Sequence, residues 1–126
     1  QTRIVLGGPS EIVAKVGKPV FTAGSPGGKT IINTTLQLIL NVVDHDMNIA
    51  ESVEAGRIHH QWLPDVTSME TGSLSRDTIE LYEARGHRFR ERAAQGAVMA
   101  VFYDRVNKLF EGASDSRRGD GAAVGY

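Results

Sequence analysis

The sequence has 126 residues, enough for one domain with its own core, and its 40% hydrophobic and 23% charged residues are typical of a globular protein. With 14 basic and 15 acidic residues the net charge is -1, which provides no electrostatic attraction to nucleic acid or to an anionic membrane. The absence of cysteine excludes disulfide scaffolds, thiol catalysis and cysteine-based zinc sites, and no apolar run approaches the length of a membrane span.

The beginning of the chain predicts three short strands. β-favouring residues from 2 to 6 stop at Gly7-Gly8-Pro9, and further strands are expected over Glu11–Val16 and Val20–Ala23. The turn signal Gly17-Lys18-Pro19 lies between the second and third strands. These two strands are therefore predicted to form a hairpin.

A glycine-rich loop, Gly24-Ser25-Pro26-Gly27-Gly28, leads into an apolar segment from Ile31 to Val43. The segment predicts a helix with Thr30 as its N-cap. Its polar residues fall on one narrow stripe, at Asn33, Gln37, Asn41 and Asp44. A helix that is apolar over most of its surface is expected to be buried between layers.

Two further helices are predicted from capping signals. Asn48 and Glu51 have the spacing of a capping box, which starts a short helix that ends near Gly56. Ser75 is the expected N-cap of a third helix, which Gly86 closes.

The other strands are weaker predictions, apart from one. Ala97–Tyr103 is an unbroken apolar run, which favours a strand buried on both faces. The remaining expected strands are Arg57–Trp62, Val66–Met69, His87–Arg92 and Lys108–Glu111. The mixture predicts an α/β protein of the α+β type, with mainly antiparallel strands and a buried helix, in which residues 1–126 form a single domain.

The loop between the third strand and the apolar helix is the best candidate for chemistry. Its glycines allow backbone N–H groups to approach a ligand, and the positive end of the helix dipole lies behind them. Such a loop can bind an anion, or an oxyanion that develops during a reaction. The alternative is a tight turn that only reverses the chain.

A phosphate-binding loop is a second interpretation of the same segment. Ala23 to Thr30 has the sequence A-G-S-P-G-G-K-T, which a relaxed phosphate-loop pattern accepts, with Lys29 and Thr30 as the phosphate and magnesium contacts. Asp104, at the end of the apolar run, could lie on a second magnesium-binding strand. Ala23 counts against this hypothesis, because the strict motif begins with glycine.

Other chemistry-bearing residues are weaker candidates. His59 and His60 are adjacent and would point to opposite faces of a strand, so one is expected to be packed and the other solvated, and no metal site is predicted. Trp62 is expected in the core. Near the C-terminus, an ion-pair network is predicted among Asp115, Arg117, Arg118 and Asp120.

Several stretches together resemble the γ-glutamyltranspeptidase family, in the family's order and over nearly the whole chain. The most specific are HHQWLPD, from His59 to Asp65, and the ending that runs from GASD at Gly112–Asp115 to DGAAVGY at Asp120–Tyr126. The others are Val16-Gly17-Lys18-Pro19, Gly24-Ser25-Pro26-Gly27-Gly28, Leu36-Gln37 with Asn41 and Asp44, Met47-Asn48, Arg57-Ile58 and Gly86-His87.

The resemblance implies an N-terminal-nucleophile hydrolase with a four-layer αββα fold. In that family a precursor cleaves itself, and a threonine at the start of the new small subunit attacks a γ-glutamyl amide, usually that of glutathione. The backbone N–H groups of Gly27 and Gly28 would form the oxyanion hole. The family's threonine falls upstream of the stretches matched here, so this chain alone is expected to have no turnover, and no cofactor is implied.

The resemblance also implies partners and a compartment. The chain would be the C-terminal portion of a small subunit, assembled with the rest of that subunit and a large subunit, in the periplasm or outside the cell. The substrates would be a γ-glutamyl donor and an amino-acid or peptide acceptor.

The chain departs from the family's usual residues at three places. Gly7-Gly8-Pro9 stands where the family usually has Ser-Ser-Met, whose serines help hold the substrate carboxylate, and Gly56 and Ser116 replace prolines. A cephalosporin-acylase-like relative with another acyl group is therefore an alternative, and a non-catalytic domain with the same fold is a third hypothesis.

Overall fold

The computed structural model describes residues 2–6, 10–119 and 121–125. These residues form two compact units: the first runs to Glu54 and resumes at Gly96, and the second is Ala55–Gln95. The strands and helices, in chain order, are β1 (Thr2–Leu6), β2 (Ser10–Lys15), β3 (Lys18–Gly24), α1 (Ile31–Val43), α2 (Ile49–Glu54), β4 (Ile58–His59), β5 (Thr67–Glu70), α3 (Arg76–Glu83), β6 (Phe89–Arg92), β7 (Met99–Asp104) and β8 (Leu109–Ser114).

The first unit is built on a five-stranded antiparallel sheet in the order β1-β2-β3-β7-β8. The predicted hairpin of β2 and β3 is confirmed, with a two-residue turn in which Val16 and Gly17 have φ angles of 52° and 74°. Two successive left-handed residues match the twist of paired strands. Lys18 and Pro19, which were assigned to the turn, already belong to β3.

The core of the first unit lies between one face of this sheet and the helices α1 and α2. Its buried residues come from both helices and from four strands or their ends, and they are Val13, Phe21, Ala23, Leu38, Ile39, Ile49, Val53, Val98, Ala100 and Ala113. The capping box is confirmed, because the Asn48 N–H donates to Glu51 Oε2 at 3.1 Å and the Glu51 N–H donates to Asn48 Oδ1 at 2.9 Å.

The opposite face of the sheet is covered only in part, by the segment around Gly121 and Ala123, so the prediction that β7 is buried on both faces is wrong. Ala100 is 3% exposed, whereas Met99 and Val101 are 44% and 41% exposed. The strand therefore alternates between a core face and an outer face, and its continuous apolar sequence makes the outer face apolar as well.

Helix α1 has the predicted bounds but not the predicted surroundings. Leu38 and Ile39 are buried, whereas Ile32 is 82% exposed and Leu36 is 46% exposed. Only one face of the helix is therefore covered in this chain. Thr30 is not its side-chain cap, because the residue has helical φ and ψ and makes no capping hydrogen bond.

The second unit contains a three-stranded sheet in the order β4-β5-β6, in which β5 and β6 are parallel and α3 lies between them in the sequence. The segment predicted as extended over 57–62 contributes only Ile58 and His59 to this sheet. The prediction that Trp62 lies in the core is wrong, since it is 80% exposed in a backbone conformation with a φ of 60°. None of the helices in the described residues is long and apolar enough to cross a bilayer.

Candidate functional site

The glycine-rich loop connects the end of β3 to the start of α1 in the first unit. Gly27 has a φ of 144° and Gly28 a φ of 59°, and both residues are exposed. A side chain is strained in these backbone regions, so glycine is the residue that allows this path. A single turn of 3-10 helix, Gly28–Thr30, then leads into α1.

Thr30 fixes the backbone of the loop from inside. Its side chain is only 4% exposed, and both its Oγ1 and its N–H donate to the carbonyl oxygen of Gly27, at 3.1 and 3.3 Å. A Cβ on Gly27 would lie 2.6 Å from Thr30 Oγ1. The absence of a side chain at position 27 is therefore required by packing as well as by the backbone angle.

The loop contains two neighbouring N–H donors on exposed residues. Within the part of the chain that the structure describes, the N–H groups of Gly27 and Gly28 donate to no other group. A Cβ built on Gly28 would meet no atom within 4 Å, which shows that the space on that side is open. Donors placed in this way near the N-terminus of a helix can stabilise a negatively charged oxygen.

The sheet does not fit the phosphate-loop hypothesis. Phosphate loops follow strands of parallel βαβ units, whereas β3 is antiparallel to both of its neighbours. Gly24 pairs with Met99 and Phe21 with Phe102, so Asp104 lies toward the far end of the sheet from the loop. Thr30 is buried and bonded to Gly27, which is not the arrangement of a magnesium ligand.

The two histidines behave as expected. His59 is 8% exposed, whereas the side chain of His60 is 38% exposed and its Nε2 lies 3.1 Å from Asp65 Oδ1. Among the described residues, no three His, Cys, Asp or Glu side chains are grouped so that they could hold a metal ion.

Of the predicted C-terminal network, the Asp115–Arg117 pair is present, and it is built around a buried carboxylate. Asp115 is 1% exposed, its Oδ2 accepts the Val98 N–H at 2.8 Å, and its Oδ1 lies 3.1 Å from Arg117 Nη1. The same Arg117 nitrogen donates to the Val53 carbonyl at 3.1 Å. Arg118 is exposed, and Asp120 lies outside the described residues.

Gly56 and Ser116, which replace two prolines usual in the family, each have specific surroundings. A Cβ on Gly56 would lie 2.6 Å from the Cα of Ser73, so any larger residue would have to displace that backbone. The N–H and Oγ of Ser116 donate to the two carboxylate oxygens of Glu54, at 2.9 and 2.6 Å. A proline at position 116 would lack both donors.

Two arrangements were not predicted from the sequence. In the second unit, buried Glu70 accepts the N–H groups of Arg57 and Gln95, at 2.9 and 2.6 Å. In the first unit, Ser25 Oγ accepts the Ala97 N–H at 3.2 Å. Both join segments that are far apart in the sequence, so no local spacing could have indicated them.

Comparison with solved structures identifies the class of fold. A cephalosporin acylase from Bacillus halodurans superposes with a TM-score of 0.76 over 86% of this chain and 20% of its own, at 18% identity. At that identity the likeness concerns the fold alone. The fold is the α+β type found in the N-terminal-nucleophile hydrolases.

Closer comparisons identify the family. The family model described as gamma-glutamyltranspeptidase matches residues 9–125, and the chain therefore belongs to this family of enzymes. A structure of a mutant of Helicobacter pylori gamma-glutamyltranspeptidase has a TM-score of 0.81 at 34% identity, over 94% of this chain and 62% of the other.

Curated relatives are much longer than this chain. The glutathione hydrolase proenzyme of Escherichia coli (strain K12) is 43% identical over 115 residues, which are 91% of this chain and 20% of the relative. That of Bacillus subtilis (strain 168) is 36% identical over 115 residues, covering 90% of this chain and 19% of the relative. The chain thus spans about a fifth of the length of these relatives.

Proposed function

We propose that the protein to which this chain belongs transfers or hydrolyses γ-glutamyl groups, with the N–H groups of Gly27 and Gly28 as its oxyanion hole. The observation that carries the proposal is the exposed pair of glycine N–H donors, held in left-handed conformations at the start of α1. Membership in the γ-glutamyltranspeptidase family supports it independently.

In the proposed reaction, a threonine from another part of the protein attacks the carbonyl carbon of the γ-glutamyl amide. Its hydroxyl proton passes to a base, and the carbonyl oxygen becomes an oxyanion that accepts hydrogen bonds from Gly27 and Gly28. Collapse of this intermediate expels the amine with a proton and leaves an acyl-enzyme. Water or the amine of an acceptor amino acid or peptide then releases the γ-glutamyl group.

The proposed partners are the rest of the small subunit and a large subunit, because the relatives carry about four-fifths of their length outside the region that matches this chain. A periplasmic or extracellular location is proposed on the family resemblance. A related acylase with a cephalosporin-type acyl group is the second candidate. The replacement of the family's serine pair by Gly7-Gly8 favours it, at positions that lie outside the described residues.

The test is hydrolysis of a chromogenic γ-glutamyl anilide by the full-length protein, with Gly27→Ala as the site variant and Lys29→Ala as its neighbour control. We expect Gly27→Ala to lower kcat by about 10²- to 10³-fold, because the new Cβ meets Thr30 and displaces an oxyanion donor. Lys29→Ala should keep wild-type turnover, since its exposed side chain has no role in acyl transfer.

Two outcomes would contradict the proposal. Full turnover by Gly27→Ala would show that this loop does not hold the oxyanion. The second candidate would be established if the wild-type protein cleaves itself and hydrolyses a cephalosporin side-chain amide but does not hydrolyse the γ-glutamyl anilide.

A further inference from the structure

We infer that Gly96 and Ser25 form a positioning pair that sets the place of the oxyanion loop, although neither residue would touch the substrate. This inference rests on the proposed role of Gly27 and Gly28. It concerns how the loop that contains Gly27 and Gly28 is held in place so that it can present its donors.

Ser25 is the anchor of the loop. Its side chain is 3% exposed, and its Oγ accepts the Ala97 N–H at 3.2 Å and donates to the Pro26 carbonyl at 2.8 Å. One hydroxyl therefore joins the loop to the segment that enters β7, a segment 72 residues later in the chain. Alanine at position 25 would leave the Ala97 N–H without this acceptor.

Gly96 lies next to the Ser25 side chain and leaves no room for a side chain of its own. It has a φ of 71°, and a Cβ at this position would lie 2.6 Å from Ser25 Oγ and 3.2 Å from Thr34 Cγ2. Thr34 is fully buried on α1 and cannot easily give way. Any side chain at position 96 would therefore push on Ser25 and, through it, on the loop.

Gly96 also lies close to Gly27, the first of the two proposed donors. Its Cα is 3.7 Å from the position that a Cβ on Gly27 would occupy. The backbone at 96 and 97 is thus bonded to Ser25 and lies close to Gly27. A shift of this backbone would be transmitted to the donors, and a displacement of the order of 1 Å in a catalytic group lowers the rate by roughly 10²-fold.

The experiment compares Gly96→Ala, Ser25→Ala and the double variant in the full-length protein, with Gly17→Ala as the control. Gly17 has a matching φ of 74° and no atom within 4 Å of a built Cβ, so its substitution brings the same backbone strain without a collision. The measurements are KM, kcat calculated from the titrated concentration of active sites, and hydrogen–deuterium exchange of the peptide that covers residues 24–30.

We expect Gly96→Ala to lower kcat by about 10-fold or more with little change in KM, because an oxyanion forms only after substrate has bound. Exchange in residues 24–30 should rise, while Gly17→Ala should leave both measurements at wild-type values. Because Ser25→Ala removes the atom that the new Cβ meets, the loss in the double variant should be clearly smaller than the product of the single losses.

Losses that simply multiply would overturn the inference, and so would a Gly96→Ala protein with the kcat of Gly17→Ala. If Gly96→Ala folds too poorly to assay, the milder Ser25→Ala decides by its kcat and its exchange. A wild-type protein without γ-glutamyl turnover would refute the proposed function instead. In that case, the pairing would be judged by hydrogen–deuterium exchange in residues 24–30. Exchange at the wild-type rate in both Gly96→Ala and Ser25→Ala would refute it, and faster exchange would support it.

Discussion

A single carboxylate, that of Asp115, joins three separate segments of the first unit. It accepts the N–H of Val98 before β7 and the N–H of Arg117, and it pairs with the Arg117 guanidinium, which in turn donates to the carbonyls of Val53 and Glu54 at the end of α2. Asp115 is fully buried and Arg117 nearly so. Such a charge is tolerated only while its partners are in place.

We therefore expect Asp115→Ala to lower the free energy of unfolding by about 3–5 kcal/mol, because it removes the acceptor of Val98 and leaves the guanidinium of Arg117 uncompensated. Urea unfolding followed by circular dichroism would measure this. Arg118→Ala is the matched control, since Arg118 is an exposed arginine next to the network. Equal free energies of unfolding for the two variants would show that the network does not stabilise the fold.

At the scale of elements, the turn between β7 and β8 is organised by Asp104. Its Oδ1 accepts the N–H groups of Val106 and Asn107, at 2.8 and 3.2 Å, and its Oδ2 accepts the Asn107 side-chain amide at 2.6 Å. The amide of Asn107, then its backbone N–H and that of Val106, lower the pKa of Asp104 below the ordinary value of 3.8.

This shift predicts a loss of stability in acid. Since the folded pKa is lower than the unfolded one, the charged turn contributes fully above the unfolded value of 3.8, and its contribution disappears as the pH falls through the folded pKa. The thermal midpoint of Asp104→Asn should therefore fall less steeply than that of wild type below about pH 4. If the thermal midpoints of the two proteins fell in parallel with pH, this prediction would be contradicted.

Features that depend on neighbouring residues are predicted better from the sequence than features that depend on residues far apart in it. The bounds of α1, the capping box at Asn48 and the β2–β3 hairpin follow from neighbouring residues and are confirmed. The glycine-rich loop that contains Gly27 and Gly28 is recognised from neighbouring residues too, and its role in catalysis stays a prediction. Burial was predicted less well, because the covering of α1 and β7 depends on residues elsewhere, and so does the support of Ser25 by Ala97.

At the scale of the whole molecule, the first unit leaves two apolar surfaces partly exposed. One is the outer face of its sheet, with Ile12, Met99 and Val101, and the other is the exposed stripe of α1, with Ile32 and Leu36. Groups of exposed apolar side chains mark candidate interaction surfaces. They are consistent with the proposed assembly with further parts of the same protein.

The chain alone is therefore expected to self-associate, and light scattering over a dilution series would show a mass above that of the monomer. Val101→Lys should reduce the association, because it places a charge in the middle of the sheet face. Val106→Lys makes the same change at an exposed valine of the β7–β8 turn, outside both of these surfaces, and should not reduce it. A monomer at every concentration would count against an interface on these surfaces.

The pairing of β3 with β7, and the bond from Ala97 to Ser25, have a consequence for synthesis on the ribosome. The loop leaves the ribosome before the residues that support it, which follow 72 positions later, after the entire second unit has been made. Contacts between such distant segments form late. While the second unit is being made, the loop with the proposed oxyanion donors therefore lacks its bond to Ala97, and it acquires its final geometry only when β7 has left the ribosome.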